Sequence, residues 1–333
     1  MLVSCITRKA WSDLKTLEIK PTVKQGGGGV VTKYLNLRKC CPDMHFTNDF
    51  ADPDMRHVII VEPLCFFKND LEVKEDVHSK IQKLRRHDKS VKLLWCEEQA
   101  VFRWKEKYRK EIFSVFDGLL ACNAYQHRLL KVIAPTQPIY TLYTPIDNVL
   151  YQPGEKRKQV LVAGKVGLQK NIDAILQLFT QLPADVHKLY MGNAGMWGQY
   201  TYDYDKTLET ELEQVADEYV HSASPIETAR RIRESLVGIN MSIYDVGCLF
   251  FLECGMSGVN FFAWRYHPQF DEYQNLTRFD TVEDGALEIM ECLENGLQPN
   301  TALIKEINEK HCFEAFREQL GHVLKEVLMN DRK

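Results

Sequence analysis

The chain has 333 residues, 45% of them hydrophobic and 26% charged, which excludes fibrous and disordered proteins and supplies enough chain for two α/β cores. Its net charge of −4 marks no nucleic-acid binder as a whole, yet residues 1–150 hold 24 Lys+Arg against 18 Asp+Glu while the remainder holds 18 against 28, so an anionic partner would favour the first half. Ten cysteines without a CxxC pair exclude a zinc ribbon or disulfide scaffold and leave reduced thiols.

The N-terminus has no basic segment followed by a long apolar run, so no signal peptide is expected. No stretch approaches the ~18 apolar residues of a membrane span. The expected location is the cytoplasm, the host cytoplasm if the chain is phage-encoded.

Short apolar runs alternate with helical stretches, the pattern of parallel α/β layers. In the first half, strands are expected near Leu2–Ile6, His57–Val61, Val91–Trp95, Gly118–Cys122 and Ile139–Leu142, with helices near Val31–Arg38, Val77–Arg86 and Trp104–Val115. The turn-rich segment Thr144–Pro153 reads as a linker. The pattern then restarts with strands near Gln159–Ala163, His187–Met191, Tyr219–His221, Val237–Ser242 and Asn260–Ala263. Helices near Asn171–Gln181, Asp205–Glu218, Ile226–Ser235 and Phe251–Ser257 separate them, and the tail from Thr281 is mostly helix.

Three motifs carry chemistry. Gly26–Gly29 precedes a helix, where glycines let backbone N–H groups approach a phosphate. Lys165 and Lys170 flank a strand-to-helix junction, Val162–Asn171. Two solvent-facing ammonium groups there can converge on one diphosphate and neutralise a leaving group without a metal. Asp245 and Glu253 lie eight apart around an apolar run. A carboxylate amid apolar residues is costly without a dedicated partner. Gly192 and Asn193 follow a strand in the second half as a further candidate nucleotide-binding loop. The triplets Asp52-Pro-Asp54 and Asp203-Tyr-Asp205 follow no apolar strand directly and read as polar loops, so no metal site is expected.

Taken in this order, the motifs resemble the large retaining GT-B glycosyltransferase family. Its members carry a glycine-rich loop after the first strand, an Arg/Lys-x4-Lys pair opening the second domain, and an acidic-x7-Glu motif followed by a small-residue helix. Asp147 and Pro153 in the linker resemble the family's n-x-x-D…F-x-P segment. The chain departs from the pattern with Asp245 for the usual Glu, Lys165 for the commoner Arg, and a Gly-Phe-Gly reduced to Val246-Gly247. The resemblance implies two Rossmann-like domains facing a cleft: residues 1–147 on the acceptor side, 148–300 for the nucleotide sugar, and a helical tail 301–333 packing back toward the first domain. It implies that Gly27, Gly28, Gly29, Lys165 and Lys170 hold the donor diphosphate, that Glu253 binds the nucleotide ribose, and that Asp245 faces the sugar. The co-substrate would be a nucleotide-diphosphate sugar, a UDP-sugar by preference, with no cofactor or metal and with retention of configuration.

Within that family, Gly28–Lys33, Leu94–Phe102 and Leu252–Trp264 are similar to the phage DNA α-glucosyltransferases, which modify hydroxymethylated cytosine. The stretch matching Trp95–Gln99 holds a His and an Asp in those enzymes; here it holds Glu97 and Glu98. Either carboxylate could orient or deprotonate an acceptor hydroxyl. Eleven Lys+Arg lie between Lys80 and Lys110, suited to phosphate contacts, and Trp95, Phe102 and Trp104 among them could stack on a base. Duplex DNA carrying a hydroxymethylated pyrimidine is therefore the acceptor reading. A glycan or small-molecule acceptor and a non-catalytic nucleotide-binding module remain alternatives.

Overall fold

The computed structural model describes residues 3–6, 28–66, 76–96, 105–194, 202–243, 245, 247–296 and 298–330. They form two compact units. One contains the first strand, Tyr34–Pro145 and the chain from Phe313 on; the other contains Ile146–Cys312 together with the described residues 28–33.

The first unit holds a parallel six-stranded sheet: β1 (Val3–Ile6), β2 (His45–Thr47), β3 (Val58–Val61), β4 (Val91–Trp95), β5 (Gly118–Ala121) and β6 (Ile139–Thr141). The order is β2-β1-β3-β4-β5-β6. Strands β1, β3, β4 and β5 are buried along their whole length, as parallel strands covered on both faces must be. That is why they stand out as continuous apolar runs such as Val-Ile-Ile-Val at β3. Helices Val77–Arg86, Glu106–Phe113, Ala124–Ile133 and Phe313–Asn330, the 3-10 turn Pro63–Phe66 and helix Gly28–Cys40 from Tyr34 onward belong to this unit. Trp95, 1% exposed, stacks on Phe316 of the last helix with ring centroids 6.2 Å apart.

The second unit repeats the plan with β7 (Arg157–Ala163), β8 (His187–Met191), β9 (Glu218–Val220), β10 (Ser235–Asn240), β11 (Asn260–Trp264) and β12 (Thr277–Phe279). Its order is β12-β11-β10-β7-β8-β9, and every pair is parallel. The chain runs outward from β7 through β8 to β9, then returns to the other side of β7 for β10 to β12. Loops leaving β7 and β10 therefore part in opposite directions, and such a switch point opens a crevice at the carboxyl ends of the strands.

Helices Ile172–Gln181 and Val282–Glu294 pack one face of this sheet, with Ile175, Leu178, Phe179 and Ile289 all at or below 1% exposed. Helices Pro225–Glu234, Leu249–Met256 and Thr301–His311 contribute to the other. Helix Leu249–Met256 approaches helix Thr301–His311 through Gly255, where a Cβ would sit 2.6 Å from Ile307 Cγ1. Helix Thr301–His311 belongs to the second unit and helix Phe313–Asn330 to the first.

Three elements go beyond the sequence reading. Strands β2 and β12 are three-residue edge strands with partly exposed ends, too short to show a period. Helix Ala124–Ile133 is announced by its cap, Asn123, whose side chain accepts from the Gln126 N–H at 2.7 Å. The triplet Asp203-Tyr-Asp205 is no loop. It occupies the first turn of helix Tyr202–Val215, where acids complement the positive helix end.

Candidate active site

The switch point of the second unit gathers the motifs of that half. After β7 ends at Ala163, Gly164 N–H donates to the Met191 carbonyl and Val166 N–H to the Asn193 carbonyl, both at 2.9 Å. The Lys165 segment and the Gly192-Asn193 turn thus run side by side. Gly192 has φ +158, and a Cβ there would collide with the Gly164 carbonyl oxygen, so only glycine allows this approach. Tyr190, buried and stacked on Tyr219 at 5.4 Å, donates its hydroxyl to that same carbonyl at 3.1 Å. On the far side, Ala194 N–H donates to Glu209 Oε1 at 2.8 Å. Burial opposes the Glu209 charge, but Lys206 and the Ala194 N–H outweigh it and hold the carboxyl below its ordinary range.

Lys170 closes a short 3-10 turn, Leu168–Lys170, and is followed by Asn171 in the left-handed region at φ 53. Ile243 N–H, beyond β10, donates to the Gln169 carbonyl at 2.9 Å and ties the two loops together. Lys170 Nζ then donates to Asp245 Oδ2 at 2.6 Å. The side chains are 23% and 10% exposed. Lys170 is thus not the solvent-facing cation expected from sequence: adjacent strand ends at the switch point bring it against a carboxylate 75 residues away. Burial alone would lower the Lys170 pKa, and the Asp245 charge more than offsets this and holds it above its usual value. Lys165 is half-buried on the same segment.

Glu253 lies in helix Leu249–Met256, 8% exposed among Phe251, Leu252 and Cys254. Tyr151, 1% exposed, donates its hydroxyl to Glu253 Oε1 at 2.8 Å. The dedicated partner expected for this acid is a phenol 102 residues away. Burial still raises the Glu253 carboxyl from 4.5 to about 7, with the Tyr151 hydrogen bond pulling the other way. The folded state therefore holds its proton to higher pH than the unfolded chain does. The cost to stability begins above pH 4.5 and is complete above about 7. A shift of this size corresponds to on the order of 3 kcal/mol. Glu253→Gln should therefore raise the melting temperature of the ligand-free protein at pH 8 and leave it nearly unchanged at pH 4.5. Equal shifts at the two pH values, followed by calorimetry, would show that the carboxylate charge is not what costs stability.

His267, which the sequence did not single out, feels the Lys170 and Asp245 charges. It follows β11, one strand beyond Asp245 in the sheet, and is 4% exposed. Both ring nitrogens are sealed without a hydrogen-bond partner among the described residues. Burial lowers its pKa; Asp245 opposes the shift and Lys170 adds to it. A neutral imidazole offers one donor and one acceptor. Trp264 Nε1–H donates to the Met241 carbonyl at 2.7 Å, joining the end of β11 to the chain just past β10.

The N-terminal half of the chain supplies less. Glu97, Glu98, Gly26, Gly27, Phe102 and Trp104 lie outside the described residues. Gly28 and Gly29 are the first two residues of helix Gly28–Cys40 rather than a loop before it, so their N–H groups are among those a helix start leaves unpaired by its own backbone. Trp95 is no base-stacking platform: its ring is sealed in the core against Phe316. Lys80 pairs with Asp76 at 2.9 Å and Lys110 with Glu106 at 2.6 Å. Arg85, Arg86, Lys89, Lys105, Lys107 and Lys110 are exposed. Among the described residues, no three His, Cys, Asp or Glu side chains group as metal ligands, and no helix is long and apolar enough to cross a membrane.

No protein-family model and no curated protein matches the sequence. Solved structures do match. Sucrose-phosphate synthase from Thermosynechococcus elongatus is 12% identical, with a TM-score of 0.73 over 99% of this chain and 100% of its own. HepE of Anabaena, solved in complex with UDP and glucose, is 9% identical, with a TM-score of 0.70 over 98% and 100%. An α,α-trehalose-phosphate synthase (UDP-forming) from Burkholderia xenovorans, solved with glucose-6-phosphate, is 13% identical, with a TM-score of 0.62 over 88% and 76%. These are GT-B glycosyltransferases, and two six-stranded parallel sheets of this kind, matched along nearly the whole chain, give the protein the GT-B fold.

Proposed function

We propose that the chain is a nucleotide-sugar-dependent glycosyltransferase whose donor, a UDP-sugar, is held by the second unit. The observation that carries this is the Lys170–Asp245 pair at the switch point, beside the Lys165 segment and the Gly192-Asn193 turn. Lys165 and Lys170 hold the donor diphosphate, Glu253 takes the ribose hydroxyls, and Asp245 faces the sugar. Breaking the bond between the sugar and the diphosphate leaves negative charge on the departing phosphate. Fixed ammonium groups oriented before the reaction lower the cost of that charge. Departure assisted by the phosphate, with retention of configuration, follows the family resemblance. The UDP and glucose bound by HepE, a structural neighbour, support the choice of donor.

The test is a thermal-shift panel of UDP-, GDP-, ADP- and CMP-sugars, followed by nucleotide release with acceptor. A donor at 100 times its Kd should stabilise the fold by ~2.7 kcal/mol. Stabilisation without turnover or hydrolysis would favour a nucleotide-binding module; no stabilisation by any donor would remove the donor site. Because lysines supply the neutralising charge, activity should persist in EDTA, and complete, reversible loss would assign that charge to a metal.

For the acceptor, the charge excess of residues 1–150 and the exposed cations on helices Val77–Arg86 and Glu106–Phe113 favour an anion, here duplex DNA carrying a hydroxymethylated pyrimidine. A glycan or small molecule is the competing reading, and nucleotide release with and without hydroxymethylated DNA separates the two.

A further inference from the structure

Glu253 gains its partner from a built turn rather than from a chance neighbour. Asp147 Oδ1 accepts from the Val149 and Leu150 N–H groups at 3.0 Å each, and Tyr151 N–H donates to the Asp147 carbonyl at 2.9 Å. This closes the turn that aims the Tyr151 ring into the core. A phenylalanine would fill the same space; the hydroxyl adds only a donor, and it meets one carboxylate oxygen. Among the described residues no other side chain or N–H bonds this carboxylate, and its second oxygen is not among the sealed polar atoms. One oxygen is bonded to the phenol, and the other has no partner among the described residues.

We infer that Tyr151 is a positioning residue for donor binding, holding the Glu253 carboxyl in one rotamer through its hydroxyl so that the outer oxygen accepts the nucleotide ribose hydroxyls. The inference rests on the donor-site reading of Glu253. Its physical basis is the contest between burial, which favours the neutral acid, and the phenol donor, which favours the carboxylate. A protonated Glu253 would have one oxygen turned donor and would compete poorly for two hydroxyls. The other ionisable groups around the pair are Asp147 in the turn, Cys254 on the same helix, and Lys156, whose Nζ donates to the Arg233 and Ser257 carbonyls. Burial, then the Glu253 carboxylate, and to a smaller extent Asp147 and Cys254 hold the phenol pKa well above its ordinary value, so it stays a donor across the working pH range.

The test is calorimetric titration of the full chain with UDP, GDP and ADP and with their 2′,3′-dideoxy analogues, from pH 6 to 9. The wild type should prefer the ribose form of its nucleotide by roughly tenfold or more, the scale of a hydrogen bond to a charged group. That preference should fade as the pH drops through about 7, where Glu253 takes up its proton. Tyr151→Phe should abolish most of the preference at pH 7, leave the dideoxy affinity unchanged, and regain the preference toward pH 9. Fluorotyrosine placed at position 151, a stronger donor in the same fold, should move the midpoint the opposite way, to lower pH. Equal weakening of both nucleotide forms, or no movement of the midpoint in either variant, overturns the inference. The donor-site reading fails differently: the wild type then shows no ribose preference, or Glu253→Gln leaves that preference intact.

Discussion

Lys170→Ala should lower turnover by roughly 100-fold or more, because a preorganised charge-stabilising group is worth ~3–4 kcal/mol in comparable sites. Lys170 has two partners to satisfy in turn. Without donor it pairs with Asp245 at 2.6 Å; under the proposed donor site it would also serve a diphosphate carrying more charge. The exchange is favourable only if Asp245 finds another partner, and a sugar hydroxyl beside it would provide one. Removing Lys170 therefore does two things: it takes a cation from the leaving group and leaves a carboxylate that is 10% exposed without its ion pair. The second effect costs stability and must be separated from the first. Asp245→Asn combined with Lys170→Ala removes the stranded charge, so the double variant should regain melting temperature but not turnover. Lys165→Ala, on the same segment, should act in the same direction. If nucleotide-sugar hydrolysis and transfer are unchanged in both single variants, the diphosphate assignment is wrong.

Much of this site was legible in the sequence because parallel α/β folds place chemistry at strand ends. The runs at β7, β8 and β10 are buried on both faces, so they stand out as apolar segments and their first polar successors stand out as well. Lys165, Lys170, Gly192 and Asp245 all have that address. Pairings across the chain were not legible. Nothing local to Lys170 says that its side chain will be met by Asp245, since that depends on β10 returning beside β7 after two intervening strands. Tyr151 did leave a trace: it stands where the resembling family carries phenylalanine, and a phenol in a buried position needs a partner. The trace names no partner, and Glu253 is 102 residues distant. His267 left none, because only the surrounding packing shows that both ring nitrogens lack partners among the described residues. Trp95 misled for a related reason: an aromatic among lysines suits base stacking or a core equally well, and helix Phe313–Asn330, more than 200 residues on, covers it.

DNA affinity, if the first unit holds a duplex acceptor, should fall roughly 500-fold between 50 and 200 mM salt for about five phosphate contacts, since counterion release gives a log–log slope near −0.9 per neutralised phosphate. The cations available are Arg85 and Arg86 at the end of helix Val77–Arg86, Lys89 just beyond it, and Lys105, Lys107 and Lys110 at helix Glu106–Phe113. They are not equivalent. Lys110 is ion-paired with Glu106, and Lys107 lies 4.6 Å over the Tyr108 ring. Phosphate must compete with these local partners, though exposed pairs of this kind are worth only ~0–1 kcal/mol. No ion pair engages Arg85, Arg86 or Lys105 among the described residues. Reversing those three to Glu should flatten the slope by roughly 2.7, three phosphates' share. Donor binding should not change, because Lys165, Lys170 and Glu253 belong to the second unit. Titrating labelled hydroxymethylated duplex at four salt concentrations, with a thermal shift against the donor in parallel, reads both quantities. A protein that binds its donor but no DNA at 50 mM salt has another acceptor, and a glycan or small molecule then takes that place.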